Sequence, residues 1–419
     1  MKEAPSGQSP YLVSDPVSSA QDSAFDALER TLRHSGPPGA FEQLIEHLDK
    51  AGDYRSLLDA LLLKARYDLN LPLIQVGGLS NLAEPVRTQF EDRYVEAIRL
   101  VGSKFLAAGE IPAAWAYFRV IAEPEPVKAA LDEYEPDQDA ERLGQVIDVA
   151  FNQGANPRRG FELILDHYGT CSAITTLEQV PPGDAAIQTA CIEKLIRHLH
   201  AQLAFSIRAD LAQRGETVPG EATSVAELIA GRDWLFADEA YHIDVSHLSA
   251  TVRYSILVSD PATLALAVDL TEYGRRLASR LQFEGMPPFE RIFEDHRCFL
   301  RALLGQDVDA ALSHFRKKLE AVVDDDVESS MPAQVLVNLL VRLGKLDEAI
   351  DLAAERLAHL PEQALTCPGL AELCQQRGRM DRLAEVARQR GDMVHFLAAR
   401  LQEPPAAQAR APRSASAGP

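Results

Sequence analysis

The sequence predicts an all-α fold, a solenoid of stacked αα-hairpins with a non-repeat helical segment at its centre. Three observations carry that expectation. Apolar residues recur at i, i+3, i+4 and i+7 over most of the 419 residues. Alternating Val/Ile/Thr runs closed by Gly-Asn or Asp-Gly turns are missing. One Gly-centred pattern recurs along the chain, which is the mark of a repeat architecture.

Residues 1–22, opening MKEAPSGQSPYLVSDP, hold too little apolar surface to offset the entropy of ordering, so a disordered tail is expected there. They also lack the apolar core of a signal peptide. Helical-hairpin repeats are expected over 23–180. Phe41, Leu44, Ile45 and Leu48 form one helical stripe, Gly52 breaks it, and Leu57, Leu58, Leu61 and Leu62 carry the next. The recurring pattern is an apolar helix, a Gly, a polar residue or two, and a second helix. It is written as KAGDYRSLLDA (50–60), AAGEIPAAWAYF (107–118), NQGANPRRGFEL (152–163), LLGQDVDAALSHF (303–315), RLGKLDEAIDLA (342–353) and QRGRMDRLAEVA (376–387). The glycine supplies the left-handed end of one helix, and a following Ala lets the partner helix approach closely. A single hairpin cannot bury its apolar face, so the unit must stack.

The stretch 181–290 does not fit the repeat. Ile187, Cys191, Leu195, Leu199, Leu203, Ile207 and Leu211 predict one long helix that Gly215 closes. A loop (215–224), a short helix capped near Thr223-Ser224 and the segment 233–258 follow. Repeats resume over 291–402, and the Pro/Ala/Ser/Arg-rich 403–419 predicts a second disordered tail.

The segment 331–361, MPAQVLVNLLVRLGKLDEAIDLAAERLAHLP, resembles a tetratricopeptide repeat. Gly344 stands at the turn, Leu346 in the apolar place two residues on, Ala349-Ile350 at the start of the close-packed second helix, and Pro361 at its end. Gly378 follows 34 residues later, the repeat length of that family. Val337 and Leu383 depart from it, standing where the family carries a small residue. The resemblance covers about 290–400 and implies a concave groove for a peptide or protein partner, lined by the first helix of each pair. Gln334, Asn338 and Arg342, with Gln375 beside Glu372 and Gln376, are the residues it places on that face. Asn and Arg there resemble the family's polar lining for peptide backbones and carboxylates.

A net charge of −20, from 62 acidic and 42 basic residues, disfavours nucleic acid and anionic membrane surfaces as partners. The acidic runs 132–141 and 324–328 are expected as solvated loops or helix starts. No run of eighteen apolar residues is present, and the chain reads as cytoplasmic. Cys171, Cys191, Cys298, Cys367 and Cys374 show no CxxC or CxxH spacing, so buried free thiols are expected rather than structural zinc.

Chemistry is suggested at YHIDVSHL (241–248), which holds His242, Asp244 and His247 within six residues. Two readings are open. In one, these three bind a divalent metal ion, helped by Asp238 or Glu239, with Arg253, Tyr254 and His296 as neighbours for an anionic substrate. In the other, Asp244 caps a helix over 245–258 whose core stripe is Val245, Leu248, Val252 and Ile256. The offsets of two and five residues suit the cap better, because helical ligand pairs need three or four. No GxxxxGK[ST], GxGxxG, GxSxG or HExxH is present. The expectation is therefore a scaffold without a cofactor, with a metal-dependent helical enzyme as the contrasting reading.

Overall fold

The computed structural model describes residues 16–74, 83–179, 184–321 and 329–402, with side chains from residue 23 onward. The acidic run 324–328 and the C-terminal tail 403–419 lie outside the described residues. The fold is all-α: among the described residues there is no strand, only an isolated bridge between Glu284 and Arg291. No helix among them is long and apolar enough to cross a membrane. The chain divides into two compact units, Met1–Leu163 and Ile164–Pro419.

In the first unit the first five helices pack each on the next, and the sixth packs on the fourth. These are α1 (Pro16–Ala51), α2 (Tyr54–Asp68), α3 (Val86–Ala107), α4 (Ile111–Phe118), α5 (Glu125–Asp132) and α6 (Ala140–Ile147). Helix α1 starts inside the span expected as tail, and Gly36 interrupts it with φ 70° and ψ −175°. Asp139, from the acidic run 132–141, caps α6 by accepting the N–H groups of Glu141 and Arg142. The core centres on Phe118, Val101, Val127 and Leu131, all fully buried. Gly102 permits the closeness of α3 and α4, since a Cβ there would lie 2.7 Å from the Phe118 ring. Helix α7 (Pro157–Glu178) carries the boundary between the units and is interrupted at Gly169.

The second unit opens with α8 (Ala185–Gln213), the long helix the apolar row predicts, and all seven residues of that row except Ile187 are buried. Arg208 reaches from α8 to the carbonyls of Gly220, Glu221 and Thr223, which pins the loop beneath it. Ser224 and Glu227 form a capping box on the short α9 (Val225–Ile229). Asp269 accepts the N–H of Val225 and meets His200 at 3.1 Å, so His200 of the RHLH sequence is part of the packing. Then follow α10 (Val245–Tyr254), α11 (Pro261–Gly274), α12 (Ile292–Leu303), α13 (Val308–Glu320), α14 (Met331–Arg342), α15 (Leu346–Arg356), α16 (Leu370–Arg377), α17 (Met380–Arg390) and α18 (Met393–Gln402).

From α12 to α18 each helix packs on the next, around one apolar core running from Phe299 to Ala399. The turns explain the sequential packing. At Gly344 φ is 72°, its N–H donates to Val341 O at 3.0 Å, and the Lys345 N–H donates to Leu340 O at 2.9 Å. That pair of bonds satisfies the last carbonyls of α14 and reverses the chain within two residues. The same two bonds recur at Gly52, Gly109, Gly305, Gly378 and Gly391. Gly391 was not among the six expected patterns: it follows Gly378 after 13 residues and adds α18 as an extra helix. Helix α16 is only 8 residues long, because Pro368-Gly369 delays its start.

Candidate functional site

Three places bear on function: the 241–248 segment, the expected groove residues, and the surface of α17 and α18.

At 241–248 the side chains serve the fold. Asp244 caps α10, accepting from the N–H groups of Ser246 at 2.8 Å and His247 at 3.1 Å. Its carboxyl is held below the usual range chiefly by the Ser246 hydroxyl bond, burial opposing. His242 points elsewhere. Its backbone N–H donates to the Tyr273 hydroxyl at 2.7 Å, its Nδ1 lies 3.1 Å from that hydroxyl, and its Nε2 lies 3.3 Å from Asp210. Tyr273 is fully buried, and that burial pushes its hydroxyl up to about 12. Nδ1 thus faces the neutral Tyr273 hydroxyl and Nε2 faces the Asp210 carboxylate. Burial raises the Asp210 carboxyl, but bonds from Arg214 and His242 outweigh it and the net direction is down. His247 is half-buried on the first turn of α10, Asp238 is exposed, and Glu239 pairs with Arg280. The structure thus does not gather His242, Asp244 and His247 around one point. Among the described residues no three His, Cys, Asp or Glu side chains are arranged to hold a metal ion. Arg253 is exposed, Tyr254 is half-buried, and His296 is buried with its ring stacked on Phe289 at 4.1 Å.

Two of the four expected groove residues are turned inward. Gln334 is 1% exposed; its amide bonds Ser330 Oγ at 2.8 Å and accepts the Thr366 N–H at 2.6 Å. Arg342 donates to the carbonyls of Ile256 and Val258, and burial lowers its guanidinium below the usual arginine range. The reason is packing on both sides of α14, where eight residues are buried and the polar face expected of a first repeat helix is covered. Asn338 is half-buried and Gln375 is exposed, as are Glu372 and Gln376. Cys191, Cys367 and Cys374 are buried, and burial pushes the last two thiols up to about 11; Cys171, expected buried, is exposed.

The surface that sequence reasoning missed is α18. Its inward side carries Ala399, fully buried, and half-buried Phe396 and His395. Its outward side is apolar: Met393 is 81% exposed, Val394 77%, Leu397 58% and Leu401 74%. With Ala398 these residues fall in an arc of about 140° at 100° per residue. Beside the first turn of α18 a cleft of about 270 Å³ opens, lined by Leu365, Leu370, Val386, Glu362, Arg390 and His395. Asp392 caps α18 through the N–H groups of Val394 and His395 and holds the His395 ring at 2.6 Å. Arg388 and Arg400 both lie over Phe396, 4.8 and 5.5 Å from its ring centre. The signal was present in MVHFLAARLQ, which has apolar residues on every side. A helix apolar all round is either enclosed or waiting to be covered.

No family model matches the chain, and no curated protein matches it.

Proposed function

We propose that the chain is a tetratricopeptide-like helical-repeat scaffold without a catalytic role, holding a protein partner. The observation that carries this reading is the outward face of α18. Contiguous exposed apolar surface marks a place where another molecule docks. The sequential hairpins support it, since stacked repeats present whole helix faces to partners. Asn338, Gln375, Glu372 and Gln376 retain accessible polar atoms and extend the binding face in this reading. The contrasting enzyme reading has no such support, because His242 and Asp244 spend their polar atoms on Asp210, Tyr273 and a helix cap.

A photo-crosslinking residue placed at Leu397, in cells making the full chain, tests the proposal against the same residue at Glu355, exposed on α15. A discrete covalent adduct with one protein from position 397, and not from 355, is expected. Equal labelling from both, or none from 397, overturns the docking role of this face.

A further inference from the structure

Resting on that reading, we propose that the outward face of α18 takes an amphipathic helix with acidic flanks, presented by a partner protein. Met393, Leu397 and Leu401 recur every four residues with Val394 and Ala398 beside them, the stripe onto which another helix lays its own apolar face.

Charge selects the class of helix. The chain carries a net charge of −20, yet residues 370–402 hold six arginines and four carboxylates. Arg377 and Arg379 are paired with Asp347, Arg379 also with Asp381, and Arg382 with Glu385. Arg388 and Arg390 have no carboxylate within ion-pair distance among the described residues; Arg388 lies over Phe396, and Arg390 lines the cleft. Cationic groups without a carboxylate, set beside exposed apolar surface, leave room for carboxylates on the incoming helix. A second copy fits less well, because two-fold pairing of α18 would bring these arginines together. An anionic membrane fits less well again, since the rest of the chain would be repelled.

The test uses the full chain and two labelled 18-residue peptides, each with Leu at helical i, i+3, i+4, i+7 spacing. One carries Glu on its flanks and the other Lys at the same positions. Fluorescence anisotropy should show the Glu peptide bound about tenfold more tightly than the Lys peptide. Leu397→Glu should abolish binding, as should Val394→Glu, with helicity retained because both sites are exposed. The double substitution Arg388→Glu/Arg390→Glu should remove the preference. Equal affinity for both peptides overturns the charge selection while leaving the docking face standing; binding of neither overturns the helix as occupant. Sedimentation showing a dimer that Leu397→Glu dissociates would assign the face to a second copy. Uptake by phosphatidylcholine/phosphatidylserine vesicles, lost in Leu397→Glu, would assign it to a membrane. Either result overturns the proposal. Failure of the underlying reading shows separately, as the absence of an adduct from position 397.

Discussion

His296 sets a pH limit on the second unit. The side chain is 2% exposed, donates one bond of 2.7 Å from Nδ1 to Ile292 O, and stacks on Phe289. Burial, the largest influence, drives its pKa from 6.5 down to about 4, while the Ile292 bond and Asp295 oppose and Arg253 assists. The ring is therefore neutral in the folded chain, and Nδ1 carries the proton that Ile292 O accepts. An unfolded chain protonates this histidine near pH 6.5 and the folded chain only near 4, so the unfolded state binds more protons between them. The contribution is complete above pH 6.5 and is lost as pH falls towards 4. Across that window the shift is worth about 3 kcal/mol, and about 2 kcal/mol of it is gone by pH 5. The substitution His296→Phe keeps the ring volume and removes the titration. Urea unfolding at pH 7.5 and pH 5, read as the difference between wild type and variant, isolates this group from the carboxylates. With m near 3 kcal/mol/M the wild-type midpoint should fall by about 0.7 M more than the variant's. Parallel midpoints for the two proteins would refute a buried neutral His296.

Arg342→Met should destabilise the second unit by about 2–3 kcal/mol by stranding the Ile256 and Val258 carbonyls, and should leave partner affinity unchanged; reduced affinity at unchanged stability would return Arg342 to the groove. Tyr273→Phe leaves the His242 N–H without its acceptor and should cost about 1–3 kcal/mol, with faster hydrogen exchange at His242 as the readout. Gly344→Ala has open space around its Cβ but φ of 72°, so a cost of about 1–2 kcal/mol comes from the backbone alone. Gly369→Ala, with φ −74° and ordinary contacts, is the matched control and should be near neutral.

What could be read from the sequence follows the range of the forces involved. Hairpin turns were legible because a left-handed helix end is decided within six residues, and Gly52, Gly109, Gly305, Gly344 and Gly378 all take it. The Asp244 cap was legible for the same reason. The partners of His242 were not, since Asp210 and Tyr273 stand 32 and 31 residues away and only the packing of α8 and α11 brings them in. Gln334 and Arg342 look outward on an isolated helix; the 254–258 segment and Thr366 cover them, which helical periodicity cannot foresee. Gly391 fell outside a 34-residue period, and with it the helix whose outward face carries the functional proposal.

Docking on α18 requires its outward face to be open in the free chain. Mild peroxide oxidation of the free full chain, followed by mass spectrometry, compares methionines in known surroundings. Met393 is 81% exposed, Met286 78% and Met380 8%. Sulfoxide is expected at Met393 as fast as at Met286, with Met380 protected. Oxidation of Met393 as slow as that of Met380 would mean the chain itself covers the face, and would contradict a docking role for α18.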